Sequence, residues 1–356
     1  MLKKEIVLDI CLSFVWILVV LVLIVFVCVI FTNAVEHLGE ELNLSEGAVG
    51  SVLAAVGTAL PETIVPLVAI IGAYITGSNM SNAHEIGIGA ILGAPFLLGT
   101  LAFFVTGMAV IIFTKTGRRS LDMPVNTVII LRDLHFFALC YTISILSSFI
   151  PFQPLKLVIA GLLPIIYIVY AVKTIQTASK ETEGGQEEIA ALYLTRYIEP
   201  PKNLHLPFIL LQLLISLLGI IFLAHIFVGQ IEFIAEVFKI NPLILSLIIT
   251  PIATELPEKF NSVLWIRAKK DTLSMGNITG AMVFQSCFPT AVGIALTPWV
   301  LSTDALANVI IVYLSVGVVY LNIVNNKGIL KPSALLAGGF FYLIYLIYVV
   351  YRVLQG

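Results

Sequence analysis

Long apolar runs alternate with short polar segments along almost the whole chain of 356 residues. An α-helix rises 1.5 Å per residue, so about 20 apolar residues cross the hydrocarbon core of a bilayer. The pattern therefore predicts an all-α membrane protein with about ten transmembrane helices. The predicted spans are 5-33, 46-75, 84-114, 125-149, 154-176, 204-236, 241-266, 274-300, 305-324 and 332-353.

The longest polar segment lies between the fifth and sixth predicted spans and divides them into two groups of five. We predict a first five-span repeat at 1-176, a cytoplasmic linker at 177-203 and a second five-span repeat at 204-356. The linker has no metal-ligand spacing, so we interpret its charges as a solvated surface.

Loop charge predicts the orientation of the chain. The loops on one side carry twelve Lys and Arg residues, and those on the other side carry five. Loops rich in Lys and Arg stay in the cytoplasm, so we predict that the first side is cytoplasmic and that both termini face outward. Lys3 and Lys4 alone favour the opposite orientation.

Composition narrows the class of protein further. With 59% hydrophobic and 11% charged residues, the chain is no soluble globule, and we expect a multi-pass protein of the cell membrane. The net charge of -2 gives no sign of a nucleic-acid partner, so the lipid bilayer and small ions are the expected partners. All four cysteines lie in apolar runs, and we interpret them as small hydrophobic residues. No cofactor is expected, and the oligomeric state has no signature in the sequence.

Two short motifs occur twice, in the same order. "VGTALPET" at 56–63 matches "IATELPEK" at 252–259, and "GAILGA" at 89–94 matches "GNITGA" at 276–281. The copies fall in predicted spans two and three, and then in spans seven and eight. The second copy begins five spans after the first. Because five is an odd number, the second copy enters the membrane from the opposite side. The chain is thus predicted to form two inverted five-helix repeats, an architecture typical of alternating-access transporters.

The first motif of each pair places oxygen atoms in the membrane. Proline has no N–H and displaces the carbonyl four residues earlier, so Pro61 frees the carbonyl of Gly57, and Pro257 frees that of Ala253. Residues four apart share a helix face, so a hydroxyl and a carboxylate lie beside each free carbonyl. Such all-oxygen sets suit hard cations such as Ca²⁺ and Na⁺. The predicted ligands are Thr58, Glu62, Thr254 and Glu258, with the carbonyls of Gly57 and Ala253.

Glu62 and Glu258 are both predicted to lie inside the membrane, where a charge raises the free energy of insertion. A charged side chain at the bilayer centre costs about 2.5–3.5 kcal/mol on insertion scales, so Glu62 and Glu258 at equivalent positions indicate a function. The paired glycines allow close helix packing, which we expect to bring spans two, three, seven and eight around one site.

Other charged residues in the spans have simpler interpretations. Glu255 and Lys259 are four apart in the favourable order, so we expect them to neutralise one another. We interpret Arg132, Asp133 and His135 as interfacial residues or an internal ion pair.

At these motifs the chain resembles the calcium/cation antiporter superfamily, which includes the sodium/calcium exchangers. That superfamily carries G-[ST]-[ST]-L-P-E and G-N-x-x-G-S-N elements in neighbouring spans, to which "GTALPE", "ATELPE", "GAILGAP" and "GNITGAM" are similar. The resemblance implies a central cation site lined by Thr58, Glu62, Thr254 and Glu258. It also implies that the transported cation and the coupling ion occupy this site in turn.

The chain departs from the family pattern at several ligand positions. Ala59 and Glu255 replace the usual hydroxyl before L-P-E, and Ala94, Leu98 and Ala281 replace polar residues of the second element. Asn277 and Gln285 remain polar there and are further candidate ligands. With fewer oxygens than in a typical sodium/calcium exchanger, a proton is an alternative to Na⁺ as the coupling ion, since desolvation favours the protonated carboxyl.

Three functions are compatible with these residues. A secondary antiporter exchanging Ca²⁺ or a similar cation for Na⁺ or H⁺ accounts for the inverted repeat. A passive cation channel would use the same ligands without a counter-ion. An intramembrane enzyme using Glu62 and Glu258 is disfavoured, because HExxH and GxSxG are absent and an enzyme has no need of inverted repeats. The sequence favours the antiporter.

Overall fold

A computed structural model of the chain describes residues 2–41, 60–77, 79–178, 191–195, 205–255 and 259–355. These residues are almost entirely helical, and eight helical segments are long and apolar enough to cross a membrane. Two shorter apolar helices, Glu62–Thr76 and Pro242–Ile252, occupy the positions of predicted spans two and seven. The prediction of an all-α membrane protein with about ten transmembrane helices is confirmed.

Twelve α-helices can be assigned in the described ranges. In the first half they are α1 (Leu2–Glu41), α2 (Leu60–Thr76), α3 (Met80–Leu97), α4 (Phe103–Lys115), α5 (Thr127–Ser147) and α6 (Gln153–Ala178). In the second half they are α7 (His205–Phe238), α8 (Pro242–Glu255), α9 (Lys259–Arg267), α10 (Asp271–Leu296), α11 (Thr303–Asn325) and α12 (Pro332–Gln355). A π-helical turn at Leu98–Ala102 joins α3 to α4, a 3-10 turn spans Tyr193–Thr195, and two short strands are β1 (Met123–Pro124) and β2 (Ile329–Leu330).

Helix boundaries follow local sequence signals. Asn79 caps α3 by accepting hydrogen bonds from the amides of Ser81 and Asn82 at 3.1 and 3.4 Å. The end of α10 also follows a local signal. This helix ends at Leu296, four residues before the predicted end of span eight at residue 300. Pro298 follows, and Trp299 adopts a positive φ of 45°, which a continuous helix does not allow.

Contacts at the helix ends show the relative directions of the helices. At one end, β1 pairs with β2, and Arg119 forms a salt bridge of 2.6 Å with Asp271 at the start of α10. At the other end, the Lys156 ammonium donates to the carbonyl of Pro298 at 2.6 Å, just beyond α10. The α3–α4 segment and α10 therefore run in opposite directions, as the predicted inverted repeats require.

Helices from the two halves interlock. α1 packs along α7, α5 along α10, and α3 along α8. Each of these contacts joins one repeat to the other, so the core lies between the repeats. The boundaries 1-176, 177-203 and 204-356 remain a prediction about the chain order.

The π-helical turn is supported from outside its own helix. A π turn leaves carbonyls without their usual partner along the helix. Ser315 of α11 donates its hydroxyl to the carbonyl of Gly99, and Gly338 of α12 lies against the carbonyl of Thr100 with no room for a side chain. The sequence pattern predicts an uninterrupted helix over 84-114 and misses this turn.

Candidate functional site

The helices that carry the repeated motifs meet in the core. α2 packs against α3 and α10, and α3 packs against α8 and α10. The prediction that spans two, three, seven and eight come together is borne out by these contacts. The candidate site lies among them.

The glycines of the first copy create the tightest of these contacts. A side chain on Gly93 would overlap the carbonyl of Leu247 and lie 2.5 Å from Cγ of Pro251. Pro251 has no N–H to donate to the carbonyl of Leu247, four residues earlier, so this oxygen is left for Gly93 to approach. Gly89 approaches the carbonyl of Leu243 one turn away. The glycine motif of α3 therefore sets the distance to α8.

The equivalent glycines of α10 have different surroundings. Among the residues that the structure describes, a side chain on Gly280 would meet only the Tyr170 hydroxyl, at 3.4 Å, and one on Gly276 would meet no atom within 4 Å. Equivalent glycines thus have unequal packing in the two repeats. The first is wedged against α8, whereas the second contacts α6 lightly.

Glu62 lies in the first turn of α2. Its side chain is buried, with 3% of its surface exposed. α2 contacts both α3 and α10, so the carboxylate lies on a helix that packs against both helices that carry the glycine motifs. This position fits the prediction that Glu62 contributes to an internal site.

Several predicted ligands lie outside the described residues. Gly57 and Thr58 precede α2, and Glu258 falls between α8 and α9. Ala253 is in the last turn of α8. Their roles as ligands stay predictions, which rest on the repeat and on the family resemblance.

Thr254 ends a stripe of buried hydroxyl groups on α8. Ser246, Thr250 and Thr254 are four residues apart and are all buried. Ser246 donates to the carbonyl of Ile86 on α3 at 2.8 Å, and Thr254 donates to the carbonyl of Thr250 at 3.2 Å. A hydroxyl that donates its proton keeps lone pairs that can bind a cation. The spacing in "LSLIITPIATE" contained this signal, although only Thr254 was predicted.

The clearest polar contact in the site joins Glu255 to Gln285. Nε2 of Gln285 donates to Oε1 of Glu255 at 2.9 Å, and both side chains are almost completely buried. The other amide atom, Oε1 of Gln285, is buried and has no hydrogen-bond partner among the described residues. A buried carbonyl oxygen without a partner costs about 1–3 kcal/mol, which a bound cation would recover.

This contact changes the interpretation of Glu255. The sequence predicts that Lys259 neutralises it, but the Lys259 side chain lies outside the described part of the chain, so that pairing stays a prediction. The structure places Glu255 beside Gln285, a candidate ligand. No local sequence signal links the two residues.

Asn277 is directed elsewhere. Its amide nitrogen donates to the hydroxyl of Ser262 on α9 at 3.1 Å. It precedes Gln285 by eight residues, or about 12 Å along the helix. Asn277 and Gln285 are therefore not brought together here, and a ligand role for Asn277 stays a prediction.

A second buried carboxylate holds α10 from the opposite side. Asp133 of α5 accepts hydrogen bonds from Thr279 at 2.8 Å and from Tyr170 at 3.1 Å, and Arg132 lies 3.4 Å away. Thr279 lies within "GNITGA". The predicted internal ion pair is present, and it also anchors the second glycine motif.

The described groups are suited to hard cations. Carboxylate, amide and hydroxyl oxygens are the ligands that such ions prefer. Glu62, Thr254, Glu255 and Gln285 supply all three types from helices of both repeats, in surroundings that exclude water. Cys140 and Cys287 are buried free thiols, as expected for small hydrophobic residues.

Comparison with known sequences identifies a family and two relatives. The family described as "Sodium/calcium exchanger protein" matches residues 12–176 and 208–354. An uncharacterized membrane protein, MJ0091 of Methanocaldococcus jannaschii, is 22% identical over 264 residues, covering 74% of this chain and 75% of that protein. The inner membrane protein YrbG of Escherichia coli K12 is 22% identical over 256 residues, covering 70% and 69%.

Solved structures show the same fold. The H⁺/Ca²⁺ exchanger CAX superposes with a TM-score of 0.73 at 14% identity, over 96% of this chain and 84% of that one. A structure of the sodium-calcium exchanger NCX_Mj superposes with a TM-score of 0.57 at 18% identity, over 94% and 98%. At these identities the likeness establishes the fold alone.

Proposed function

Because this chain belongs to the sodium/calcium exchanger protein family, we propose that it moves Ca²⁺ or a similar cation across the cell membrane in exchange for Na⁺ or H⁺, by alternating access. Members of the family are exchangers and not enzymes, so the chain is a cation antiporter, and the prediction of no enzymatic activity is confirmed. The transported ion, the coupling ion and the choice of membrane belong to the proposal.

One observation carries the choice of a divalent cation. The buried Oε1 of Gln285 has no described partner, while its amide nitrogen is bound to the buried carboxylate of Glu255. The amide thus presents an oxygen beside an acidic group, where a cation would satisfy both. Glu62 supplies a further carboxylate from the first repeat. Two or more carboxylates at one site favour a divalent ion over a monovalent one.

The proposed coupling ion follows from the small number of side-chain oxygens at the ligand positions of the family pattern. Ala94 and Leu98 of the first repeat are buried and offer no side-chain oxygen, and neither does Ala281 of the second. Fewer pockets for Na⁺ therefore remain than in a site lined by hydroxyls and amides. Carboxylates removed from water bind protons readily, so protons compete for the same oxygens. We propose that H⁺ drives exchange at least as effectively as Na⁺.

Ion flux in proteoliposomes tests this proposal. We expect uptake of radioactive Ca²⁺ to respond to an imposed pH gradient at least as strongly as to an imposed Na⁺ gradient, with the membrane potential clamped by K⁺ and valinomycin. Uptake that requires a Na⁺ gradient and ignores a pH jump would contradict H⁺ coupling. Downhill Ca²⁺ flux that needs neither counter-ion would instead identify a passive channel.

The role of Glu255 can be separated from that of Lys259. Glu255→Gln retains an oxygen for the amide of Gln285 and removes only the charge. We propose that Glu255 belongs to the site, so this change should slow exchange at least about tenfold, equivalent to about 1.4 kcal/mol. The double change Glu255→Gln with Lys259→Met should be equally slow. Recovery in the double variant would show that the two residues merely neutralise one another.

A further inference from the structure

A fixed register pairs α5 with α10. Thr279 donates its hydroxyl to Asp133 at 2.8 Å and lies 146 positions after it in the chain. Further along both helices, the hydroxyls of Ser144 and Thr290 are 3.2 Å apart, and these residues are again separated by 146 positions. The two helices are therefore parallel, and the residues on their facing sides meet in pairs.

Cys140 and Cys287 form one of these pairs. The Ser144 hydroxyl lies 2.8 Å from the carbonyl oxygen of Cys140. The Thr290 hydroxyl lies 3.2 Å from the carbonyl oxygen of Cys287 and also 3.2 Å from the Ser144 hydroxyl. Two hydroxyls thus join the backbones of the two cysteines. Their thiols are free, completely buried and close enough to interact directly.

Aromatic rings from α6 and α10 surround the thiol pair. Tyr167 of α6 packs edge-on against Phe284 and Phe288 of α10, with ring centroids 5.4 and 5.3 Å apart. Tyr167 is itself close enough to Cys287 for the two side chains to interact. A net charge in such dry surroundings is costly, so any group bound between the thiols should be neutral as a complex.

Two facing thiols supply the ligands that a soft metal ion requires. Thiolate sulfur prefers soft metal ions, whereas hard ions such as Ca²⁺ prefer oxygen. A divalent ion that replaces both thiol protons forms two metal–sulfur bonds and releases two protons. The two thiolates cancel its charge, so the complex is neutral. We propose that Cys140 and Cys287 bind a soft divalent metal ion between α5 and α10, at a site separate from the candidate Ca²⁺ ligands.

This thiol site has a consequence for transport. Cys287 lies two residues beyond Gln285 on α10, so an ion bound to both thiols restrains the segment that carries a candidate ligand. Coupling between neighbouring sites commonly changes activity by about tenfold, and we expect Hg²⁺ to slow Ca²⁺ exchange by about that factor. This second expectation rests on the proposed function, whereas binding of the metal does not.

Mercury X-ray absorption spectroscopy counts the sulfur ligands in the folded protein. The double change Cys11→Ser with Cys28→Ser keeps only the facing thiols. Its matched control, Cys140→Ser with Cys287→Ser, keeps two thiols on α1 that are about 25 Å apart along the helix and cannot share an ion. Each protein receives one equivalent of mercuric chloride in detergent and must keep its size-exclusion profile. We expect two sulfurs per mercury in the first variant and one in the control.

A third variant keeps the test decisive if the control does not fold. Adding Cys287→Ala to the variant that lacks Cys11 and Cys28 should lower the count to one sulfur per mercury. One sulfur per mercury with both facing thiols present would overturn the proposal, and so would failure of that variant to bind mercury. Formation of a Cys140–Cys287 disulfide in place of the metal complex would overturn it as well.

The exchange assay separates this proposal from the proposed function. Two sulfurs per mercury together with mercury-sensitive exchange would support the site and its link to transport. Two sulfurs per mercury with unchanged exchange would support the site and overturn the link. Absence of Ca²⁺ exchange before mercury is added would count against the proposed function, while the sulfur count would still decide the thiol site.

Discussion

Replacing Glu62 by Gln is expected to abolish most cation exchange while the protein remains folded. The Glu62 residue is buried, with 3% of its surface exposed. Gln has nearly the same volume but lacks the charge that holds a divalent ion. We expect Ca²⁺ exchange in proteoliposomes to fall at least about tenfold, equivalent to about 1.4 kcal/mol of lost binding. Glu258→Gln should behave alike, because the repeat makes the two residues equivalent.

The matched control is Glu236→Gln, which makes the same change at an exposed position on α7. Exchange by this variant should equal that of wild type. Size-exclusion profiles and thermal melting in detergent establish that Glu62→Gln is folded. Wild-type exchange by a folded Glu62→Gln protein would remove Glu62 from the site.

Adding a single methyl group at Gly93 should have the second-largest effect. In Gly93→Ala the new carbon would overlap the carbonyl of Leu247 and lie 2.5 Å from Cγ of Pro251, so α3 and α8 must separate. Both obstacles belong to backbone or a rigid ring and cannot rotate away. Overpacking of this kind typically costs about 1–3 kcal/mol, more than the helix propensity gained from alanine. We expect a lower melting temperature and impaired exchange.

Gly280→Ala is the corresponding change in the second repeat. Of the described atoms, its new carbon would meet only the Tyr170 hydroxyl at 3.4 Å, an ordinary contact, so stability and exchange should remain near wild type. Equal sensitivity of Gly93 and Gly280 would contradict the unequal packing of the two motifs. The comparison isolates packing, because both substitutions add one methyl group to the same motif.

The sequence alone determined the class, the approximate number of transmembrane helices and the inverted repeat. Bilayer thickness requires about 20 apolar residues per transmembrane helix, so each span is visible as an apolar run in the sequence. The matching motifs at 56–63 and 252–259 predict the acidic ligands, since a carboxylate in an apolar run is costly, and that assignment stays a prediction. These features are local, and the bilayer leaves few alternatives for them.

The tertiary structure decided which of these residues meet. Glu255 and Gln285 are 30 positions apart, and Asp133 and Thr279 are 146 apart, so no helical periodicity connects either pair. The two copies of the glycine motif also pack differently, because Gly93 is wedged against Leu247, whereas among the described atoms Gly280 has only the Tyr170 hydroxyl nearby. A motif determines which residues lie together on one face of a helix. The partner of that face depends on how both repeats pack at once, and such contacts between distant segments are set by the whole core rather than by either copy.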